Sequence, residues 1–306
     1  MRLFTLLCLL PVLLISQEMS EKSVAVEEIK GTLSTIDSDT NTAILIISGS
    51  GATDRNGNSP GYKNNCLKMV AHALTRNGYD VLRYDKRGVA ESEEASENQS
   101  NIRFDNYVED ANNWIKFLDG HGYQNIVIIG HSLGSLVGIL ASIENEKVDL
   151  FISLSGLSED AGKTISKQIT KQLPALKTEV NQKLDSLRSG FIVKQYNPLL
   201  VSIFNPQTQP LLASYINYDP VAEISKLTIP ALIINGSNDV QVTLEDAMRL
   251  HSGNSMANIL IVDGMNHVLK TIPDGDIAAN MASYYNPNLE LSEGLVEGIV
   301  SFIQKF

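Results

Sequence analysis

The chain has 306 residues, of which 43% are hydrophobic and 19% charged, as expected for one folded domain with a large core and not for a disordered protein. It carries 24 lysines and arginines against 35 aspartates and glutamates, a formal net charge of -11 at pH 7. This acidic balance, without a long basic run, argues against a nucleic-acid-binding surface and favours solubility.

The N-terminal residues, MRLFTLLCLLPVLLISQ, have the pattern of a short signal peptide: one arginine, a run of roughly a dozen apolar residues, then polar residues. The pattern predicts a cleaved export signal over residues 1–19, with an uncleaved N-terminal anchor as the alternative. The run is too short for a comfortable transmembrane span, so we expect no stable membrane span after cleavage. Cys8 follows a leucine where a lipoprotein signal requires a small residue, which argues against a lipid anchor. Export predicts a periplasmic or secreted protein.

Strands and helices alternate along the first half of the remaining chain. The predicted elements are, in order, strands in SVAVEEIKGTLST and TNTAILIISGSG, a helix in CLKMVAHALTRNG, a strand in YDVLRYD, a helix in FDNYVEDANNWIKFLDG, a strand in NIVIIG, a helix in SLGSLVGILASIE and a strand in VDLFISLSG. This alternation predicts an α/β fold with a mostly parallel sheet covered by helices on both faces.

The alternation stops between residues 157 and 229. Helix-forming stretches there are interrupted by prolines, and no strand pattern appears. The sheet resumes in PALIINGSND and NILIVDGMNH, and the chain ends in the helix EGLVEGIVSFIQKF. We therefore predict one core, residues 20–156 and 230–306, with a helical cap insertion at 157–229 rather than an independent second domain. The insertion segment NPLLVSIFNPQTQPLLASYINY is rich in apolar residues, which suits contact with an apolar part of a substrate or packing against the sheet.

A candidate nucleophile lies in GHSLG, residues 130–134, which follows an apolar strand and opens a helix. A sharp turn between strand and helix holds a serine hydroxyl out of the fold, and the resulting crowding favours glycine two positions away on each side. The pattern predicts Ser132 as the nucleophile and the Leu133 N–H, at the helix start, as one oxyanion donor. A serine that only ends the strand is the alternative.

A serine nucleophile needs a histidine base and a carboxylate that orients it. Of the five histidines, His267 follows a predicted strand at the carboxyl edge of the sheet, where sites in such sheets lie. The residue Asp239, at the end of LIINGSND, is the predicted acid, and Asp263 is the alternative. The other histidines are interpreted as structural or as directed away from the nucleophile: His72, His121, His131 and His251.

The motifs GHSLG, YDKRGVAES, GSND and GMNH together resemble the α/β-hydrolase family over nearly the whole mature chain. More narrowly, SGSGATDRNG and GMNHVLK are similar to bacterial hydrolases described as serine aminopeptidase-like or esterase-like. The resemblance implies the chain order Ser132, Asp239, His267 and a mostly parallel eight-stranded sheet with the insertion as a lid. Many relatives carry His-Gly where this chain has SGSG, residues 48–51, and the resemblance places the second oxyanion N–H at Ser50, or else at either adjacent glycine.

The predicted function is hydrolysis of a small-molecule ester through an acyl-enzyme. A serine peptidase or aminopeptidase acting on short peptides is one alternative, and a non-catalytic ligand-binding protein of the same fold is another. An aminopeptidase needs acidic side chains for the substrate amine, and the insertion offers Glu159, Asp160, Glu179, Asp185 and Glu223. Neither a metal motif nor a nucleotide-binding glycine motif occurs, so we expect no metal and no cofactor.

Charged residues also follow two of the predicted strands. Arg55 and Arg87 lie near the same edge of the sheet as the candidate site. Either could bind a substrate carboxylate, but ion pairs that brace the two loops are the favoured interpretation.

Overall fold

The computed structural model describes residues 18–36, 40–96, 99–143 and 145–306. Residues 1–17, which make up nearly all of the predicted export signal and include Cys8, lie outside the described residues. Within the described ranges, no helix has the length and hydrophobicity needed to cross a bilayer.

In the part of the chain that the structure describes, eight strands form one sheet in the order β1-β2-β4-β3-β5-β6-β7-β8. The pairs β1–β2 and β2–β4 are antiparallel, and every other neighbouring pair is parallel. The predicted α/β fold with a mostly parallel eight-stranded sheet is therefore confirmed. The strands are β1 Ser20–Val26, β2 Ile29–Thr35, β3 Thr42–Ile47, β4 Asp80–Tyr84, β5 Asn125–His131, β6 Leu150–Leu154, β7 Ala231–Gly236 and β8 Asn258–Val262.

Helices connect the parallel strands and cover both faces of the sheet. They are α1 Cys66–Arg76, α2 Phe104–Gly120, α3 Leu133–Ile143, α4 Ala161–Gln172, α5 Lys177–Arg188, α6 Val201–Phe204, α7 Gln209–Tyr215, α8 Pro220–Ile224, α9 Leu244–Gly253, α10 Ile277–Ser283 and α11 Leu295–Ile303.

Strand β3 shows how the core is divided. Ala43, Leu45 and Ile47 pack with α2 and α3 on one face of the sheet, whereas Ile44 and Ile46 pack with α1 and α11 on the other. Side chains alternate between the two faces of a strand, so a strand that is covered on both faces is apolar at every position. This arrangement explains the unbroken apolar run that the sequence shows there.

Helices α4 to α8 all lie between β6 and β7. Residues between 161 and 216 form a hydrophobic cluster of their own, whereas Ile224 of α8 packs in the core beside α2 and α3. Two hydrogen bonds join this segment to α2: the Phe104 N–H donates to Ser214 Oγ at 2.7 Å, and Tyr218 Oη donates to Asp105 Oδ1 at 2.8 Å. The cluster is formed by Ala161, Val180, Leu184, Leu187, Val193, Leu200, Phe204, Leu212 and Ile216.

Candidate active site

Ser132 lies on a sharp turn between β5 and α3. Its φ angle is 55°, in the left-handed region that residues with a Cβ rarely adopt, so the surrounding structure must hold the backbone in this conformation. The Ser132 N–H donates to the Leu154 carbonyl at 3.0 Å, which joins the turn to β6. Helix α3 begins at the next residue, Leu133, whose N–H belongs to the first turn, where amides have no acceptor within the helix.

Two glycines near the serine are required by close backbone packing. A Cβ on Gly130 would lie 2.3 Å from the Gly134 carbonyl oxygen, and a Cβ on Gly134 would lie 2.3 Å from the Ile47 carbonyl oxygen. Both contacts are with backbone, which cannot move aside as a flexible side chain can. The glycine spacing in GHSLG therefore reflects the close approach of β3, β5 and α3.

The predicted acid and base are in direct contact. Asp239 lies in the loop after β7, and His267 lies in the loop after β8. The His267 Nδ1 donates to Asp239 Oδ2 at 2.8 Å, and both residues are buried. Asp239 Oδ1 accepts from the N–H groups of Gln241 and Val242, each at 2.9 Å. The alternative carboxylate, Asp263, is exposed and accepts a hydrogen bond from a serine of the β7 loop instead.

These contacts keep the Asp239 carboxylate ionised. Burial raises the pKa of this carboxylate, but the positive charge and hydrogen bond of His267, together with two backbone N–H donors, outweigh burial. The pKa of Asp239 therefore lies below its usual value. An ionised carboxylate in this position stabilises an imidazolium at His267.

Ser132 and His267 line the same cavity, which has a volume of about 420 Å³. The described residues form no hydrogen bond between Ser132 Oγ and the His267 ring. A hydrogen bond of this kind commonly shortens only when substrate is bound.

The cavity wall is formed by the loop between β3 and α1, the turn at Ser132, the loops after β7 and β8, and helix α10. Its apolar part includes Tyr62, Val240, Met281 and Tyr284, and the rings of Tyr62 and Tyr284 are 6.0 Å apart. Among the described lining residues none comes from 157–229. Many apolar residues of that insertion instead form the separate cluster between residues 161 and 216, while others, such as Ile224 and Leu227, belong to the core beside α2 and α3.

The loop at residues 48–51 lies beside the nucleophile. A Cβ on Gly49 would lie 3.1 Å from Ser132 Cβ, and Gly49 and Ser50 both line the cavity. The Lys86 Nζ donates to Ser48 Oγ at 2.9 Å and to the Thr53 carbonyl at 2.8 Å. The Lys86 side chain therefore links Ser48 to Thr53, on either side of Gly49 and Ser50.

A sequence model of the alpha/beta hydrolase fold matches residues 42–200, which is more than half of the chain. The chain belongs to the α/β-hydrolase fold family. The matched region includes the loop after β3, the turn at Ser132 and part of the insertion. The resemblance inferred from GHSLG, GSND and GMNH is thus confirmed at the level of the family.

This α/β hydrolase is also similar to individual proteins. Esterase EstD of Thermotoga maritima is 25% identical over 241 residues, which cover 74% of this chain and 54% of EstD. The chain therefore spans about half the length of this relative. An esterase of Pyrococcus furiosus superposes with a TM-score of 0.58 at 16% identity, covering 95% of this chain and 91% of that one. The hydrolase GrgF of Penicillium superposes with a TM-score of 0.59 at 14% identity, covering 94% and 98%. These two structures share the fold.

His131 contacts the backbone of His267, the candidate base of this α/β hydrolase. Its Nε2 lies 3.0 Å from the His267 carbonyl oxygen, so this nitrogen carries the proton and donates. Burial, and then the neighbouring His267, lower the pKa of His131 to about 3, which keeps the ring neutral. The other ring nitrogen, Nδ1, is buried and has no hydrogen-bond partner among the described residues.

Asn266, the residue before the candidate base, connects this loop to α10. Its Nδ2 donates to Asn280 Oδ1 at 2.9 Å and to Ser283 Oγ at 2.7 Å, and its Oδ1 accepts from the Lys270 N–H at 3.1 Å. Sequence reasoning quoted GMNH for its histidine and did not assign a role to the asparagine. It also missed α10 as a wall of the site, because no local pattern indicates that this helix packs against the loop after β8.

The two arginines near the site form ion pairs. Arg55 pairs with Asp85 at 2.6 Å and with Glu91 at 2.6 Å, and Arg87 pairs with Asp110 at 2.5 Å. The Arg55–Asp85 contact joins the loops after β3 and β4, as the favoured interpretation expected. Neither arginine lines the cavity.

The acidic residues of the insertion are engaged away from the cavity. Each of the five forms a hydrogen bond or ion pair with a lysine, an arginine or a backbone amide. These residues are Glu159, Asp160, Glu179, Asp185 and Glu223. None of them is among the described lining residues of the cavity.

Proposed function

We propose that this α/β hydrolase is a serine hydrolase that cleaves neutral carboxylic esters through an acyl-enzyme. The observation that carries the proposal is the hydrogen bond from His267 Nδ1 to Asp239 Oδ2 at 2.8 Å, beside a cavity that Ser132 also lines. The proposed nucleophile, acid and base follow three different strands, β5, β7 and β8, in the chain order of this family. The esterases among the similar proteins also support an ester as the substrate.

In the proposed reaction, the Ser132 Oγ attacks the ester carbonyl carbon while His267 Nε2 accepts the hydroxyl proton. Asp239 stabilises the resulting imidazolium. The N–H groups of Leu133 and Ser50 donate to the tetrahedral oxyanion. When the intermediate collapses, the bond to the alcohol oxygen breaks and His267 returns the proton to that oxygen. Water then attacks the acyl-enzyme by the same route and releases the acid.

The composition of the cavity favours a neutral ester over a substrate with a free amine. No aspartate, glutamate, lysine or arginine occurs among its described lining residues. An ammonium group entering this cavity would lose its hydration without gaining a carboxylate partner, which is costly. The insertion acids that an aminopeptidase reaction would require have other partners.

A fluorophosphonate probe tests the nucleophile. We expect the wild-type protein to be labelled covalently and Ser132→Ala to remain unlabelled, while Ser252→Ala, on the exposed side of α9, is labelled like wild type. Labelling that persists in Ser132→Ala, or wild type that does not label, would contradict the proposal.

Turnover separates the ester reaction from the peptide reaction. We expect the wild type to hydrolyse p-nitrophenyl esters and Ser132→Ala to be inactive on them. Aminoacyl-p-nitroanilides serve as the comparison, and a higher kcat/KM on these amides than on the esters would assign the protein to the peptidases instead.

We also propose that the protein is exported, on the basis of the N-terminal sequence at residues 1–19. The test is mass spectrometry of the N-terminal peptide after expression of the full chain in a bacterial host. We expect the product outside the cytoplasm to begin near Ser20, and a product that retains Met1 would contradict cleavage.

A further inference from the structure

We infer that the substrate carries a second, neutral hydrogen-bond acceptor besides the ester that is cleaved, and that the side-chain amides of Asn64 and Asn280 bind this acceptor. The inference deepens the proposed function and rests on it for the position of the ester. It is based on two buried amide groups in the cavity wall whose donors have no partner among the residues that the structure describes.

Asn64 lies in the loop between β3 and α1 and is only 2% exposed. Its Oδ1 accepts from the Cys66 N–H at 3.0 Å, and its own backbone N–H donates to Asn58 Oδ1 at 2.9 Å. Because a backbone N–H can only donate, the first contact identifies the side-chain oxygen and fixes the amide orientation. The Nδ2 then has no hydrogen-bond partner among the described residues, although Asn64 lines the cavity.

Asn280 lies on α10 and is 7% exposed. Its Oδ1 accepts from Asn266 Nδ2 at 2.9 Å. Asn266 Nδ2 is an amide donor that also donates to a serine hydroxyl, and Asn266 Oδ1 accepts from a backbone N–H, so the orientation of both amides is determined. The Nδ2 of Asn280 likewise has no partner among the described residues, and this residue lines the same cavity.

Leaving a buried amide donor without a partner is costly, so such groups are normally satisfied by protein, water or ligand. Each Nδ2 atom retains some solvent-accessible surface, so neither is closed off inside the protein. Both residues line the cavity, which offers the space for a partner to these donors. Two NH₂ groups offer up to four donor hydrogens, and they match carbonyl, ether or hydroxyl oxygens.

The rest of the wall defines the class of the acceptor further. The lining residues include no lysine or arginine that would attract a carboxylate or phosphate, and no acid that would attract an amine. The acceptor is therefore neutral. Tyr62, Val240, Met281 and Tyr284 provide an apolar surface for the carbon chain that links the acceptor to the ester. A cavity of about 150 Å³ holds a benzene ring, so 420 Å³ is enough for such a chain.

Matched pairs of esters test the inference. The first pair is methyl hexanoate and methyl 5-oxohexanoate, which differ by one carbonyl oxygen in the acyl group. The second pair is pentyl acetate and 4-oxopentyl acetate, which places the oxygen in the alcohol so that either end of the ester can occupy the cavity. We expect the oxo ester of at least one pair to have a kcat/KM about tenfold above that of its apolar partner.

Asparagine-to-aspartate variants remove the donors and leave the neighbouring contacts. Asn64→Asp keeps an acceptor for the Cys66 N–H, and Asn280→Asp keeps an acceptor for Asn266 Nδ2. We expect the tenfold preference to fall to about one or below in each variant. The control is Asn286→Asp, which adds the same charge outside the cavity and keeps its acceptor for the Asn288 N–H. Its preference is expected to equal that of wild type.

Binding of non-hydrolysable amides separates the failure of this inference from the failure of the proposed function. We would measure binding of hexanamide, 5-oxohexanamide, N-pentylacetamide and N-(4-oxopentyl)acetamide to wild type and to both aspartate variants by calorimetry. Hydrolysis of esters without a preference for either oxo ester would overturn the inference and leave the proposed function standing. If no ester were hydrolysed but an oxo amide bound more tightly and both aspartate variants lost this difference, the inference would stand alone. Equal binding within both amide pairs, without hydrolysis, would overturn both.

Discussion

His131 donates a hydrogen bond from Nε2 to the backbone carbonyl of His267 at 3.0 Å, and the two rings lie with their centroids 5.0 Å apart. The residue before the candidate nucleophile thus holds the loop that carries the candidate base. Because burial lowers the pKa of His131 to about 3, the ring is neutral and this contact does not change with pH near neutrality.

Replacing His131 by phenylalanine keeps an aromatic ring and removes the hydrogen bond. We expect kcat for ester hydrolysis to fall about 10- to 100-fold, because a displacement of about 1 Å at a catalytic group has effects of this size. The KM is expected to change little, since His131 donates to the protein and not to the substrate. Steady-state kinetics checks this split, with the thermal unfolding midpoint as the control for folding. A rise in KM with kcat unchanged would contradict a positioning role.

Removing the Asp239 carboxylate tests the choice of acid. We expect Asp239→Asn to lower kcat by about 10⁴-fold, because the amide favours the wrong tautomer of His267 and does not stabilise the imidazolium. The matched control is Asp263→Asn, whose carboxylate is exposed and contacts a loop serine. That variant is expected to keep wild-type kcat. A large loss in Asp263→Asn with activity retained in Asp239→Asn would reverse the assignment.

The glycine after the serine turn is expected to tolerate no side chain. The Cβ of Gly134→Ala would lie 2.3 Å from the Ile47 carbonyl oxygen, so β3 or α3 must shift. We expect a loss of at least about 3 kcal/mol in the free energy of unfolding, measured by urea denaturation. Gly120→Ala is the control, since its Cβ would meet nothing within 4 Å at the end of α2, and it should be neutral or slightly stabilising. Equal stability of the two variants would contradict this packing.

Lys86 is expected to make stability depend on pH between about 7 and 10. Burial lowers the pKa of Lys86 to about 7, against the opposing influence of Asp85 and then Asp54. A lysine pKa below the unfolded value means that the unfolded chain binds more protons in this interval, so the free energy of unfolding rises with pH through it. The destabilisation of the folded state by buried Lys86 is full below about pH 7. It disappears near pH 10, as the lysine of the unfolded chain also loses its proton.

The variant Lys86→Met isolates this contribution. We expect the wild-type free energy of unfolding to rise relative to that of Lys86→Met by about 1–4 kcal/mol between pH 7 and pH 10. Urea denaturation at several pH values measures the difference. A difference between the two proteins that stays constant over this range would show that Lys86 has an ordinary pKa.

The sequence by itself determined the alternation of strands and helices in the core and the residues most suited to nucleophile, base and acid. It did not separate β1 from β2 or predict α10. The features that it determined are local: an apolar run is read from its own residues, and glycines at fixed distances from a serine belong to one short segment. The alternation of strands and helices then limits the connections to a parallel sheet, which brings the carboxyl ends of β5, β7 and β8 to one edge.

Only the tertiary structure decided how the cavity is lined. The contacts of Asn266 with α10 and of His131 with the loop after β8 join residues that are distant in sequence or that carry no periodic pattern. From its composition, the insertion could have formed a wall of the cavity. Its apolar side chains instead pack in a cluster of their own or against the core, and α10 and the loop after β3 line the cavity. Composition shows which segments must bury apolar surface, but the geometry of packing decides which surface each one meets.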